Sequence, residues 1–129
     1  MALDTDLTIY QGRYKEIDGI AKDDDGNVLS IASPVLLKFV VKPYFTDADS
    51  AAVLTKTSAV ATEIRKIDDA AGTYRIYLQQ ADTSSLNGGQ NYVYEVVYVD
   101  DPDAATPKPY TLNQGMFTIN ATTVDTVTS

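Results

Sequence analysis

The sequence predicts an all-β fold: one antiparallel β-sandwich of immunoglobulin type, with about seven to nine strands. Three observations predict it. Apolar residues come in short runs or in strict alternation, and no apolar pattern of helical period holds for three turns. Turn signals interrupt the chain about every 8–12 residues. Nine tyrosines, with many Thr and Val, supply residues that suit a pleated, half-buried surface. At 129 residues the chain can build one core and not two. A closed barrel is the alternative architecture.

The elements follow in order. Leu7-Thr-Ile-Tyr10 is a short apolar strand at an edge, ended by Gln11-Gly12. Tyr14 to Ala21 is a second strand, and Asp23-Asp-Asp-Gly-Asn27 a hairpin-type turn in which Gly26 supplies a positive φ at low cost. Val28 to Ile31 reads as a short return strand. Val35 to Val41 is almost continuously apolar, too short for a helix and rich in β-branched residues, hence a central strand. Lys42-Pro43 closes it. Thr46 to Ala52 is a loop or one helical turn, Val53 to Thr57 and Thr62 to Ile67 are short strands, and Asp68 to Gly72 is a turn. Thr73 to Gln79 alternates, with Tyr74, Ile76 and Leu78 on one side. Ala81 to Leu86 reads as a helical turn capped by Asp82 or Thr83. Asn91 to Asp100 is the longest strand. It is apolar on both faces, which predicts a cover on both or a face offered to a partner. Tyr110–Leu112 and Met116–Ile119 complete the sheets. The domain therefore spans 7–119, between an N-terminal arm, 1–6, and a flexible tail, 120–129.

Composition removes most chemistry. Cys, His and Trp are all absent. Without Cys there is no disulfide framework, thiolate nucleophile or Cys-based metal site. Without His there is no Ser-His-Asp triad and no imidazole base. Ten basic residues against 18 acidic ones give a net charge of −8, which opposes nucleic-acid binding. No apolar run approaches the ~20 residues of a membrane span, and no signal peptide is visible before Tyr10. Synthesis in the cytoplasm is expected, with no nucleic-acid partner, no membrane and no cofactor.

Several residues together carry a resemblance. Leu7-Thr-Ile-Tyr-Gln-Gly12, Asp25-Gly26-Asn27, Ala81-Asp-Thr-Ser-Ser-Leu86, Gly88-Gly89, Tyr92-Val-Tyr-Glu-Val96 and Gly115-Met-Phe-Thr-Ile119 occur in that order. This series resembles a small Ig-like β-sandwich domain of tailed-phage virion proteins. Such modules open upper baseplate proteins and occur in head- and tail-associated proteins. Two features depart from the pattern. Leu29-Ser-Ile-Ala32 replaces an Asp-Leu-Thr-Gly-like stretch, and the Leu86-to-Tyr92 spacing is one residue long. The chain also ends soon after the sandwich, where upper baseplate proteins continue. The resemblance implies a non-enzymatic virion structural protein, with capsid decoration or cementing first and a neck, tail or baseplate position next. Its partners would be other virion proteins, and a homo-oligomer is expected.

Candidate sites follow from the same residues. Leu7, Ile9 and Tyr10, on an edge strand, and Tyr44 and Phe45, pushed into a loop by Pro43, are the candidate interface. Gly12, Gly26 and Gly115 are structural. Tyr92 is expected to bond back across a corner, as tyrosines near such corners do in Ig-like sandwiches. Glu95 lies mid-strand among Val and Tyr, and is expected to be partly buried against a Lys or Arg, or at a subunit interface. Tyr10, Tyr14, Tyr44, Tyr77 and Tyr110 could stack on sugars, though most are expected to be half-buried. That leaves a carbohydrate-binding or host-adhesion module as the second class of function. The Asp23-Asp24-Asp25-Gly26 run fails as an EF-hand because positions 21 and 32 are both Ala. A looser calcium site would need these loops to meet Asp100, Asp101 or Asp103; a solvated turn is preferred, with no metal. An enzyme is not expected, since Glu95 has no second acid beside it.

Overall fold

In the computed structural model, residues 3–4, 6–84, 86 and 91–120 are described. The strands are β1 (Leu3–Asp4), β2 (Leu7–Tyr10), β3 (Lys15–Ile20), β4 (Leu36–Lys42), β5 (Leu54–Thr57), β6 (Ile64–Asp68), β7 (Thr73–Leu78), β8 (Asn91–Val99) and β9 (Pro109–Asn120). One short helix, α1 (Gln80–Ser84), and a 3₁₀ turn at Asp49–Ala51 interrupt them.

The strands form two sheets. The larger runs β1-β9-β8-β4-β5, with β2 also on β9, and the smaller runs β3-β7-β6. This is the immunoglobulin arrangement, in which β9, β8 and β4 take the places of G, F and C, and β3, β7 and β6 those of B, E and D. The sheets are separate, so the fold is a sandwich and not a closed barrel. Pairing is antiparallel except at the first strands, where β1 and β2 run parallel to β9. The arm read as 1–6 is thus tied to the sandwich in part, because Leu3–Asp4 pairs with Asn113–Gln114. The tail beyond Asn120 lies outside the described residues.

Alternation decides the core. Leu37, Phe39 and Val41 on β4 face Tyr94 and Val96 on β8, Phe117 and Ile119 on β9, and Ile76 and Leu78 on β7, all buried. Three rings form its centre. Phe39, Tyr94 and Phe117 have centroids 5.7, 6.1 and 6.5 Å apart in tilted or edge-on contact. They occupy the region where antibody domains carry a Trp packed on a disulfide.

Three expected elements differ. Val28–Ile31 makes no strand; a single bridge, Lys22 to Val28, is all that pairs there. Ile31 instead points inward and is fully buried, plugging the sandwich end. Tyr110–Leu112 and Met116–Ile119 are one continuous strand, β9, whose register shifts opposite Val96/Val97. A bulge there places Leu112 in the core without ending the ladder. Asp82 does not cap α1 from its first position. It sits inside the helix, and its carboxylate accepts the Gln79 N–H at 2.7 Å, which is the reach-back half of a capping box.

Two close approaches fix the smaller sheet. Gly72 has φ +69°, and a Cβ there would lie 2.5 Å from the Leu29 carbonyl oxygen. On β3, the Tyr74 ring lies where a Gly19 Cβ would stand, 2.4 Å away. That burial pushes the Tyr74 hydroxyl up to about 12. The free edge of β3 carries Glu16 and Asp18, both exposed, and charges on an open edge discourage pairing with another chain.

Candidate functional site

The outer face of the larger sheet follows from the same alternation. Side chains opposite the core residues on β4 are Leu36, Lys38, Val40 and Lys42; on β8 they are Val93, Glu95, Val97 and Val99. Val93 lies beside Met116 and Val97 beside Thr111 on β9. Among the described residues no strand or helix covers this face. Val40 and Val93 are buried beside Lys42 and Phe45, whereas Val97 and Val99 are half-buried and Met116 is exposed. A shallow trough of about 320 Å³ runs along it, lined by Lys38, Val40, Glu95, Val97 and Val99 among others. The two-sided apolar character of β8 is therefore that of a strand with one face in the core and an outer face that is buried at Val93 and half-buried from Glu95 to Val99.

Glu95 sits in the middle of this face. It is half-buried, as expected, but the expected Lys or Arg is replaced by Thr111, whose hydroxyl donates to its Oε2. The shift in β9 register brings Thr111 opposite Val97, within reach of Glu95. Lys38 lies diagonally across from Glu95 on the neighbouring strand. Lys38 was missed in the sequence, although its spacing from Val40 and Lys42 on the outward face of β4 was a readable signal.

The candidate interface residues divide. Phe45, about half exposed, borders a crevice with Val40 and Val93, so it belongs to the outer face. Tyr44 is 69% exposed beside it. Its loop is fixed by Asp47, whose Oδ2 accepts the Tyr44 N–H at 3.1 Å, and by Lys42, whose ammonium donates to the Asp47 carbonyl at 3.0 Å. On β2, Tyr10 is exposed and Leu7 half-buried. Ile9 is a correction: it is 1% exposed, because the parallel pairing with β9 turns it into the core.

The structural residues are placed as follows. Gly12 and Gly26 take φ of +69° and +83°. Gly115 lies in β9 opposite Tyr94. Tyr92 is buried at the start of β8, and the corner it was expected to bond across, 87–90, lies outside the described residues. Tyr10, Tyr14, Tyr44 and Tyr110 are each more than half exposed, against the expectation that most would be half-buried. They flank turns or strand ends, where no facing element packs on them.

A second feature lies at one end of the sandwich. The β3–β4 and β8–β9 connections meet in a pocket of about 330 Å³, lined by Asp23, Asp24, Asp100, Tyr98 and Tyr110 among others. The two tyrosine rings meet edge-on at 6.0 Å, and the Tyr98 hydroxyl donates to the Ser30 carbonyl at 3.0 Å. Burial, with Asp100 and Tyr110 nearby, raises the Tyr98 hydroxyl above its ordinary value.

The loops that a calcium site would need do meet, yet their carboxylates serve the turns. Asp23 Oδ1 accepts the N–H groups of Asp25 and Asn27, each at 2.9 Å. Asp100 Oδ1 accepts those of Asp101 at 2.8 Å and Lys108 at 2.9 Å. Among the described residues no three acids gather as metal ligands. These backbone donors, Asn27 first for Asp23 and Lys108 first for Asp100, hold both carboxyls below their ordinary 3.8. Their contribution to stability is complete above the ordinary carboxylate range and is lost as pH falls through the lowered values. Thermal midpoints should therefore drop on acidification below about pH 4. In Asp100→Asn, which keeps an acceptor oxygen but cannot titrate, the drop should be shallower. Circular dichroism melts from mildly acidic to strongly acidic buffer test this, and identical slopes for the two proteins would refute it.

No family model and no curated protein matches the sequence. Among solved structures, that of murine CRIg is similar to this chain, at 14% identity over 91% of this chain and 92% of that one, with a TM-score of 0.35.

Proposed function

We propose that this protein is a non-enzymatic structural subunit of a tailed-phage particle, a capsid decoration or cement protein that binds neighbouring subunits through the outer face of its larger sheet. The open face of β4, β8 and β9 carries the assembly half of this reading. Aliphatic side chains lie there in rows, with Phe45 and Tyr44 at one end. Burying such a face yields about 25 cal/mol per Å² of apolar surface. The phage half rests on the ordered motifs from Leu7-Thr-Ile-Tyr-Gln-Gly12 to Gly115-Met-Phe-Thr-Ile119. A charge of −8 suits the outer side of a particle, away from packaged DNA. Mass spectrometry and immunogold labelling of purified particles should find the chain in stoichiometric amounts on the head. Labelling at the neck, tail or baseplate would move it within the particle, and its absence from particles would refute the reading.

The pocket beneath Tyr98 and Tyr110 favours a second reading, a carbohydrate-binding or adhesion module. Aromatic rings beside carboxylates suit a sugar's apolar face and its hydroxyls. Saturable binding of the isolated protein to a glycan array, lost in Tyr110→Ala, would establish it.

A further inference from the structure

We propose that the outer face of the smaller sheet holds an acidic saccharide, with its carboxylate on Arg65 and its ring against Tyr14 and Tyr77. This goes beyond the readings above, since it uses neither the outer face of the larger sheet nor the pocket beneath Tyr98 and Tyr110.

An unequal share of charge marks the place. Arg65 on β6 stands directly opposite Arg75 on β7, and like charges so placed repel. Only Arg75 is compensated. Its Nε lies 2.7 Å from Asp18 Oδ1 and 3.7 Å from Glu16 Oε1, both on β3. The other oxygen of Glu16 accepts the Tyr14 hydroxyl at 2.7 Å. Glu63, two residues before Arg65, is committed elsewhere, because its Oε1 accepts the Thr57 N–H at 2.9 Å. Arg65 is exposed and has no counter-ion among the described residues, in a chain with 18 acids. A ligand's carboxylate would supply the missing charge and match the guanidinium fork in shape.

The surroundings select the rest of the ligand. Arg65 borders a shallow cleft of about 390 Å³ together with Tyr14, Thr62, Tyr77 and Gln79. Tyr77 lies two positions beyond Arg75 on β7, hence diagonal to Arg65 and within reach of its long side chain. Tyr14, just before β3, is more than half exposed. Such rings suit the apolar face of a sugar. The Thr62 hydroxyl and the Gln79 side-chain amide make no hydrogen bond among the described residues, so both are available to a sugar's hydroxyls. A peptide is the poorer guest. The middle strand β7 runs beneath the cleft with its backbone paired to β3 on one side and β6 on the other, so the floor offers side chains alone. Charge also separates this cleft from the pocket beneath Tyr98 and Tyr110. That pocket is lined by Asp23, Asp24 and Asp100, which repel the carboxylate that Arg65 attracts.

Titration of the isotope-labelled full chain with methyl β-glucuronide, followed by amide NMR shifts, tests the proposal, with methyl β-glucoside as the neutral control. Amides of 62–65 and 77–79 should shift saturably with the glucuronide and much less with the glucoside. Arg65→Gln should weaken binding at least about tenfold, and Arg65→Lys by less. Added salt should weaken it too. Arg65 is exposed, so both variants should melt as the unaltered chain does. Absence of shifts at millimolar glucuronide overturns the proposal, as does equal binding of the glucoside or indifference to Arg65→Gln. Shifts confined to the amides around Tyr98 and Tyr110 refute this site and leave the adhesion reading standing. Binding at Arg65 that Tyr110→Ala leaves unchanged supports this site and gives the other pocket no part in it.

Discussion

Asp82→Ala is expected to cost about 3–5 kcal/mol of stability, among the largest effects of any single substitution in this chain. Lys56 lies on β5 opposite Phe39, which turns its side chain toward the core side of the larger sheet. Its ammonium meets Asp82 Oδ2 at 2.7 Å, with side chains only 9% and 17% exposed. Removing the carboxylate leaves a desolvated ammonium without its counter-charge and strips the Gln79 N–H of its acceptor. The pair also joins parts of the molecule that no ladder connects, since β5 belongs to the larger sheet and α1 follows β7 of the smaller. Other ties converge on α1. The buried Thr83 hydroxyl accepts the Gly12 N–H at 2.9 Å, and the Gln11 side chain donates to the Leu86 carbonyl. The companion double variant Lys56→Met with Asp82→Leu should recover most of the loss, because it removes both charges from the same poorly hydrated place. Urea melts of the three proteins decide this, and a loss under about 1 kcal/mol in Asp82→Ala would show the pair to be as weak as an exposed one.

Phe39→Ala should destabilise by about 3–5 kcal/mol as well, by a different route. Phe39 is fully buried and touches both other rings of the central trio. Its removal forfeits the transfer of a whole ring and opens a void that strands locked on both sides cannot close. Phe39→Leu should lose less, since a branched aliphatic side chain refills part of the space. For a domain of this size the alanine variant should melt at least about 10 °C lower. Equal midpoints for the alanine and leucine variants would mean that the site collapses freely, contrary to the packing described.

Strand identity was legible because sheet faces enforce a period of two. The alternation in 73–79 and 91–100 is that of β7 and β8, and the apolar run at 35–41 is the doubly flanked β4. What escaped was long-range. A lysine in a threonine-rich segment gives no sign that it turns inward, because only the opposing α1 makes Lys56 tolerable in the core. The bulge that keeps β9 whole has no strong local signature, as Asn113-Gln114-Gly115 reads equally well as a turn. Ile9 was misplaced for a related reason. A strand at a sheet edge still has one covered face, and which residues line it is set by pairing with a strand over a hundred residues away. The site behaved likewise. Glu95 was conspicuous as a lone acid among Val and Tyr, whereas its contact with Thr111 depends on β9 register.

The aromatic centre has a practical corollary. An immunoglobulin-type sandwich whose middle is held by Phe39, Tyr94 and Phe117, in a chain with no cysteine, owes nothing to the redox state of its surroundings. Its melting curve should be the same with and without reductant. One thiol placed at an exposed position such as Tyr44 would be unique in the chain, so a probe attached there reports on the outer face without competing chemistry elsewhere.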